Sequence, residues 1–303
     1  MKPISWTSFI KPAPTMQQRP DHIQGLIYAT LGALALTPDG LLVRLAGTHD
    51  WTTVFWRGLF IACCIGFVQI YQSRQRLLKR LIPQNFKEWV CAALSSVGTL
   101  MFVLSIKHTT VANTLVILST MSLFAALFSM VFLKERIAFR TWVAMAAAIC
   151  GIIIVFIDDL NGDGLDGKIY GLICAFVTAG NMTLIRSERS INVPTTFAWG
   201  GFMIAICATF IAPTLIITAQ SGLTLFGMGA INAVAFILLG LGAKYIPSPE
   251  VSLLMLLETI LGPLWVWLVL SETPSLNALI GGAIVITTLA LHSLASLKAR
   301  KQT

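Results

Sequence analysis

Apolar and polar positions alternate along this chain in blocks, not in single residues. Ten apolar stretches cover 24–45, 52–72, 86–106, 112–133, 140–157, 168–185, 197–219, 223–243, 249–271 and 276–297, separated by short polar segments. A helix needs ~20 mostly apolar residues to cross a bilayer, and these blocks match that length. The pattern predicts an all-α integral membrane protein of ten transmembrane helices. Composition agrees: 56% of the 303 residues are hydrophobic and 11% charged, where a soluble domain has about 25% charged. Nucleic-acid-binding, soluble-enzyme and secreted classes are thereby disfavoured.

Charge then sets orientation. With the N-terminus inside, Arg44, Arg57, Lys107 and Lys168 fall on the outer side and the other 17 of the 21 Lys and Arg residues fall inside. This obeys the positive-inside rule. It predicts a cell (inner) membrane protein, multi-pass, with both termini cytoplasmic. The net charge of +8 is explained by orientation and calls for no acidic partner. The Pro-rich start, 1–23, reads as a cytoplasmic tail without the apolar core of a signal peptide, and 298–303 as a cytoplasmic C-terminal tail.

The chain also repeats. Leu104–Ile149 aligns with Leu241–Ile286 at an offset of 137, pairing Lys107 with Lys244, Leu127 with Leu264 and Glu135 with Glu272. Gly25-Leu26-Ile27 matches Gly171-Leu172-Ile173, and Trp56, Gly58, Ile61, Ala62 and Cys64 match Trp199, Gly201, Ile204, Ala205 and Cys207. Five spans per half is odd, so the second half must enter the membrane from the opposite side. The expectation is two inverted five-helix repeats, 24–157 and 168–297, joined by an outer linker, 158–167. That architecture places a site near the midplane between halves.

The segments Lys107-His108-Thr109-Thr110-Val111-Ala112, Phe132-Leu133-Lys134-Glu135-Arg136 and Leu257-Glu258-Thr259 with Leu270-Ser271-Glu272 resemble the ten-span EamA-type members of the drug/metabolite transporter superfamily. The resemblance covers about Gly25 to Leu297. The family pattern ends spans four and nine with Gly-Glu or a similar pair, matched by Glu135 and Glu272. It commonly has Glu-Pro in span nine, where Thr259 here replaces the Pro, and often a Pro in span four, where Ser122 stands. The resemblance implies an exporter of small metabolites.

Glu258 is the leading site candidate, for substrate binding and for proton coupling. It lies near the middle of span nine, where an ionisable group is costly and functional by default. The alternative is a protonated Glu bonded to a neighbouring helix. Gly262 and Trp265, at i+4 and i+7, add a backbone gap and an aromatic wall suited to an amine. Thr37-Pro38-Asp39-Gly40 interrupts span one as a broken-helix element. Asp39 either contributes to binding together with Arg57 or pairs with Arg44 or Arg57 to fasten spans one and two. If open to water, the cluster offers both charges to a zwitterion. Asn181 and Asn232 are mid-span polar groups that either bind substrate or hydrogen-bond helices together. Lys107 and Lys244 are read as helix caps, Trp56 and Trp199 as interfacial anchors, and Ala144, Ala147, Ala148, Gly151, Gly281 and Val285 as close-packing faces.

Other chemistry is disfavoured. The six cysteines lie in apolar stretches without a CxxC, and His22, His49, His108 and His292 show no ligand spacing, so no metal or other cofactor is expected. Asp159-Leu160-Asn161-Gly162-Asp163-Gly164 copies the start of a calcium loop, but its twelfth position is Tyr170 instead of Glu. No nucleotide-binding loop appears. The reading is a secondary transporter, not an enzyme, exporting a small organic metabolite of the amino-acid or amine class by alternating access with proton coupling. Its partners are that solute and the lipid bilayer, with no nucleic acid. An uncoupled facilitator or importer of the same fold, and a lipid-carrier flippase, are the rivals.

Overall fold

A computed structural model describes residues 19–72, 81–133, 139–157, 164–188, 191–246 and 248–301. Among them every regular element is a helix. The helices are α1 (Arg19–Leu36), α2 (Asp39–Leu45), α3 (Asp50–Gln72), α4 (Phe86–His108), α5 (Val111–Ser119), α6 (Met121–Leu133), α7 (Phe139–Ile157), α8 (Leu165–Ser187), α9 (Val193–Ile211), α10 (Ala219–Tyr245), α11 (Ser248–Leu270) and α12 (Leu276–Lys301). Among the described residues seven helical stretches are long and apolar enough to cross a membrane: His22–Leu45, Asp50–Tyr71, Phe86–His108, Val111–Phe132, Leu165–Ile185, Val193–Ile211 and Ala219–Gly242. Three shorter apolar helices, Thr141–Ile157, Leu254–Leu270 and Leu276–His292, stand where the sequence predicts spans five, nine and ten. The chain is a multi-pass membrane protein. Glu135 and most of the 158–167 linker, including the calcium-like motif up to Asp163, lie outside the described residues.

Local chemistry explains the breaks. Pro38 has no N–H to continue α1. Thr37 closes the turn, its backbone N–H and its hydroxyl both donating to the Leu34 carbonyl at 3.2 and 2.9 Å. The second break, at Thr120, occurs without the proline of the family pattern. There Ser119, Thr120 and Ser122 hydroxyls donate to the carbonyls of Val116, Ile117 and Ser119. Such back-bonding competes with the helical ladder and bends it. One boundary needs correction: span seven ends at Ile211, not 219. Pro213 disfavours helical geometry at the residue before it, and Ala212 is extended with ψ 130°.

Hydrogen bonds sort the helix ends to two faces of the bundle. At one, the Glu272 end, Lys107 donates to the Thr48 carbonyl (2.8 Å), His108 meets Asp50 (3.0 Å), and Arg44 reaches Glu272. At the other, the Glu88 end, the buried Glu88 carboxylate accepts from the backbone N–H groups of Gln84 (2.6 Å) and Asn192 (3.0 Å). Lys87 and Glu188 pair across the same end at 3.1 Å.

The packing pattern is unchanged when the two halves of the chain are exchanged. Helix α1 packs on α10 as α8 packs on α4, and α3 meets α10 as α9 meets α4. Helices α3 and α9 meet each other, as do α7 and α12. Two of these contacts need glycine on both sides. A Cβ on Gly58 would lie 2.5 Å from the Gly201 carbonyl oxygen, and the reverse holds at the same distance. Gly151 and Gly281 face each other similarly, at 2.9 and 2.5 Å. The main core joins both halves, with Val43, Val54 and Phe102 against Cys174, Met228 and Val266.

Packing is uneven along the fourth span. Every residue from Val111 to Ile117 in α5 is buried, whereas among Met121–Phe132 of α6 only Leu123 and Ser129 are. The α6 half faces the Glu88 end and is the loosely covered one.

Candidate functional site

The break after α1 carries Asp39 into the bundle as the first residue of α2. Its carboxylate accepts two hydrogen bonds from Arg57 on α3, at 2.6 and 2.8 Å, with both residues buried. Bidentate Arg–carboxylate geometry is the strong form of this bond. Of the two partners the sequence offers Asp39, the structure selects Arg57; Arg44 is at the Glu272 end. The Arg57 guanidinium lies 5.1 Å from the centroid of the Phe102 ring on α4, and its Nε has no acceptor among the described residues.

Asn232 on α10 joins the same pair. Its Nδ2 donates to Asp39 Oδ1 at 2.7 Å and to the Met228 carbonyl at 2.9 Å. Both partners are acceptors, so the amide orientation is fixed. Among the described residues Oδ1 is consequently left buried with no donor.

Glu258 is the eleventh residue of the 23-residue α11, about 15 Å along the helix at 1.5 Å per residue. It is 9% exposed and has no hydrogen bond or ion pair among the described residues. It stands close enough to Asp39 and Arg57 to feel both charges. Cys174 on α8 borders the group too, within the field of Arg57 and Glu258, with its Sγ donating to the Gly98 carbonyl at 3.3 Å. Among the described residues no neighbouring helix offers Glu258 a hydrogen bond. Pro263 follows one turn later and deprives the Thr259 carbonyl of its i+4 donor, so α11 keeps a proline although Thr259 has lost the one the family pattern places there.

Trp265 and Gly262 hold α11 against the broken span. The Trp265 indole N–H donates to Thr37 Oγ1 at 3.0 Å. The space in front of Gly262 is filled by the Leu115 side chain of α5, with the Thr37 carbonyl beyond it.

Asn181 is not brought to this group. It lies on α8, seven residues from Cys174 and so about 10 Å along the axis, and donates to Ser95 Oγ on α4 at 2.8 Å. Its Oδ1 has no donor among the described residues. Ser95 stands 137 positions before Asn232, so the repeat relates them. Each bonds a polar residue from the first span of the other half.

Phe102, Ser95 and Cys174 are the residues sequence reasoning missed, and Thr37 it named only as part of the broken-helix element. Ser95 alone carries a sequence signal, through that offset. Among the described residues no group of three or more His, Cys, Asp or Glu side chains could hold a metal ion.

The model of the EamA-like transporter family matches residues 23–157 and again 165–294. The chain belongs to that family. It is a membrane transporter of the drug/metabolite transporter superfamily, and the Asp39–Arg57–Asn232–Glu258 group lies where the two EamA matches meet. One solved crystal structure superposes with a TM-score of 0.65 over 92% of this EamA-like chain and 98% of its own, at 17% identity. At that identity the likeness concerns the fold alone. No curated protein matches the chain.

Proposed function

We propose that the protein is a ten-span secondary transporter, its halves 24–157 and 168–297 inverted relative to each other, that exports a small organic solute of the amino-acid or amine class. Glu258 is the group at which solute and proton exchange, so export is driven by the proton gradient. Gly262 and Trp265 set the wall beside it, and Asp39, Arg57 and Asn232 complete the site. No residue acts as a catalyst.

The observation that carries this reading is Glu258: buried, mid-helix and without a protein partner among the described residues. An ionisable group inside a membrane helix bundle marks a substrate or proton path. The exchange-invariant packing supports the inverted repeat, because a pseudo-two-fold gives two nearly equivalent arrangements of the same helices. The tied Glu272 end and the loosely covered α6 support a resting state open towards the Glu88 end. The positive-inside rule makes that end cytoplasmic and places the protein in the cell membrane.

Solute accumulation in proteoliposomes tests the coupling. An imposed proton gradient should drive solute uphill, and collapse of the gradient with an uncoupler should leave only counterflow. Counterflow of the same rate with and without the gradient, and no uphill movement, would make the protein a facilitator.

A further inference from the structure

We infer that the solute is an organic monocation carrying an amine and no carboxylate. This rests on the transporter reading above and narrows its substrate class.

The buried group holds two carboxylates and one guanidinium. Asp39 and Arg57 satisfy each other through two short bonds. The sequence offers Arg57 as a receptor for a solute carboxylate, but its charge is already paired by the Asp39 carboxylate, through one N–H of each terminal nitrogen. What remains unmatched is the Glu258 carboxyl group. Its neighbours across α2, α3 and α8 are Asp39, Arg57 and Cys174, and none bonds it. A buried carboxylate without a partner is relieved by a cation or by a proton. A solute carboxylate brought to this place would restore the unpaired negative charge that its ammonium had cancelled.

Hydrogen-bond capacity points the same way. Among the described residues Asn232 Oδ1 and the Glu258 carboxyl are without donors, and Asn232 bonds Asp39. An ammonium supplies three donors and no acceptor. Arg57 keeps its Nε–H, unpartnered among the described residues, and the second N–H of each terminal nitrogen for a neutral oxygen such as a hydroxyl. The unpaired acceptors suit the donors of an amine, and the spare N–H groups of the already paired Arg57 suit the hydroxyl of an amino alcohol.

Matched pairs that differ by one carboxylate test this in the wild-type protein: ethanolamine with serine, isobutylamine with valine, phenethylamine with phenylalanine. Binding is read as thermal stabilisation of the purified protein, and movement as counterflow in proteoliposomes. The amine of at least one pair should bind ten-fold or more tightly than its amino acid and exchange faster. Glu258→Gln should abolish that preference, while Glu258→Asp keeps it. An amino acid that binds as well as its amine overturns the inference and leaves the transporter reading intact. If no member of any pair binds or moves, the amino-acid or amine reading itself fails and the inference with it.

Discussion

Trp56 and Trp199 make the same bond from opposite halves of the chain. The Trp56 indole donates to the Leu215 carbonyl at 3.0 Å, just beyond α9, and Trp199 donates to the Leu81 carbonyl, at 2.6 Å, beyond α3. Each tryptophan thus pins the segment that follows the helix bearing the other. With the Gly58–Gly201 contact between them, α3 and α9 form a two-fold unit. Replacing either indole with Phe removes one donor and leaves a carbonyl short of a partner. Each substitution should cost about 1 kcal/mol, and the two should act at opposite ends of the bundle, so their effects should add within about 0.5 kcal/mol. Unfolding midpoints of the two single variants and the double variant check this.

The Asp39–Arg57 pair is expected to be fragile when halved. Asp39→Asn leaves a buried guanidinium without its counter-charge, a change that typically costs about 3–5 kcal/mol. The double variant Asp39→Asn with Arg57→Gln removes both charges and should recover much of the loss. Thermal unfolding in detergent measures all three. A double variant less stable than either single one would show that the pair does more than cancel charge.

Ser271 occupies the left-handed region, with φ 56°, immediately after α11. It stands where the family's Gly-Glu pattern would place Gly. A non-glycine residue pays about 1–2 kcal/mol for that conformation. Ser271→Gly should therefore raise the unfolding midpoint without altering transport. A lowered midpoint would mean that the Ser271 side chain contributes more than its backbone costs.

The Glu272 carboxylate is one of the ties at its end of the bundle, beside Lys107–Thr48 and His108–Asp50. Glu272 Oε1 accepts from Arg44 and from the Val111 backbone N–H, both at 3.4 Å, while Arg44 also donates to the Thr109 carbonyl at 2.6 Å. Glu272→Gln weakens the charged part of this latch and should populate the state open at this end. A cysteine introduced at Thr110, beside Glu272, in a background without the native cysteines, should then react faster with a water-soluble thiol reagent. An unchanged rate would remove Glu272 from the gate.

Much of this arrangement is legible in the sequence, and the limits have physical causes. Spans are visible because twenty apolar residues have no other use than lipid or core. The break before Asp39 is visible because proline removes a donor wherever it stands. Glu258 is visible because a carboxylate amid Leu and Ile is expensive. The break at Thr120 is not, since hydroxyls that bond i−3 carbonyls look the same in sequence as hydroxyls that point into a neighbour. Asn181 and Asn232 look alike as mid-span asparagines, yet helix packing sends one to Ser95 and the other to Asp39. Phe102 is one of 17 phenylalanines, and only packing puts it under Arg57.

The most direct measurement is the pH dependence of solute exchange by wild-type protein and Glu258→Gln in proteoliposomes. Protons and solute compete for Glu258 in this account, beside the Asp39–Arg57 pair. Wild-type exchange should fall as the pH is lowered, and the Gln variant, if it still exchanges solute, should do so at a rate that no longer follows pH. Wild-type rate and wild-type pH profile retained together in Glu258→Gln would contradict it.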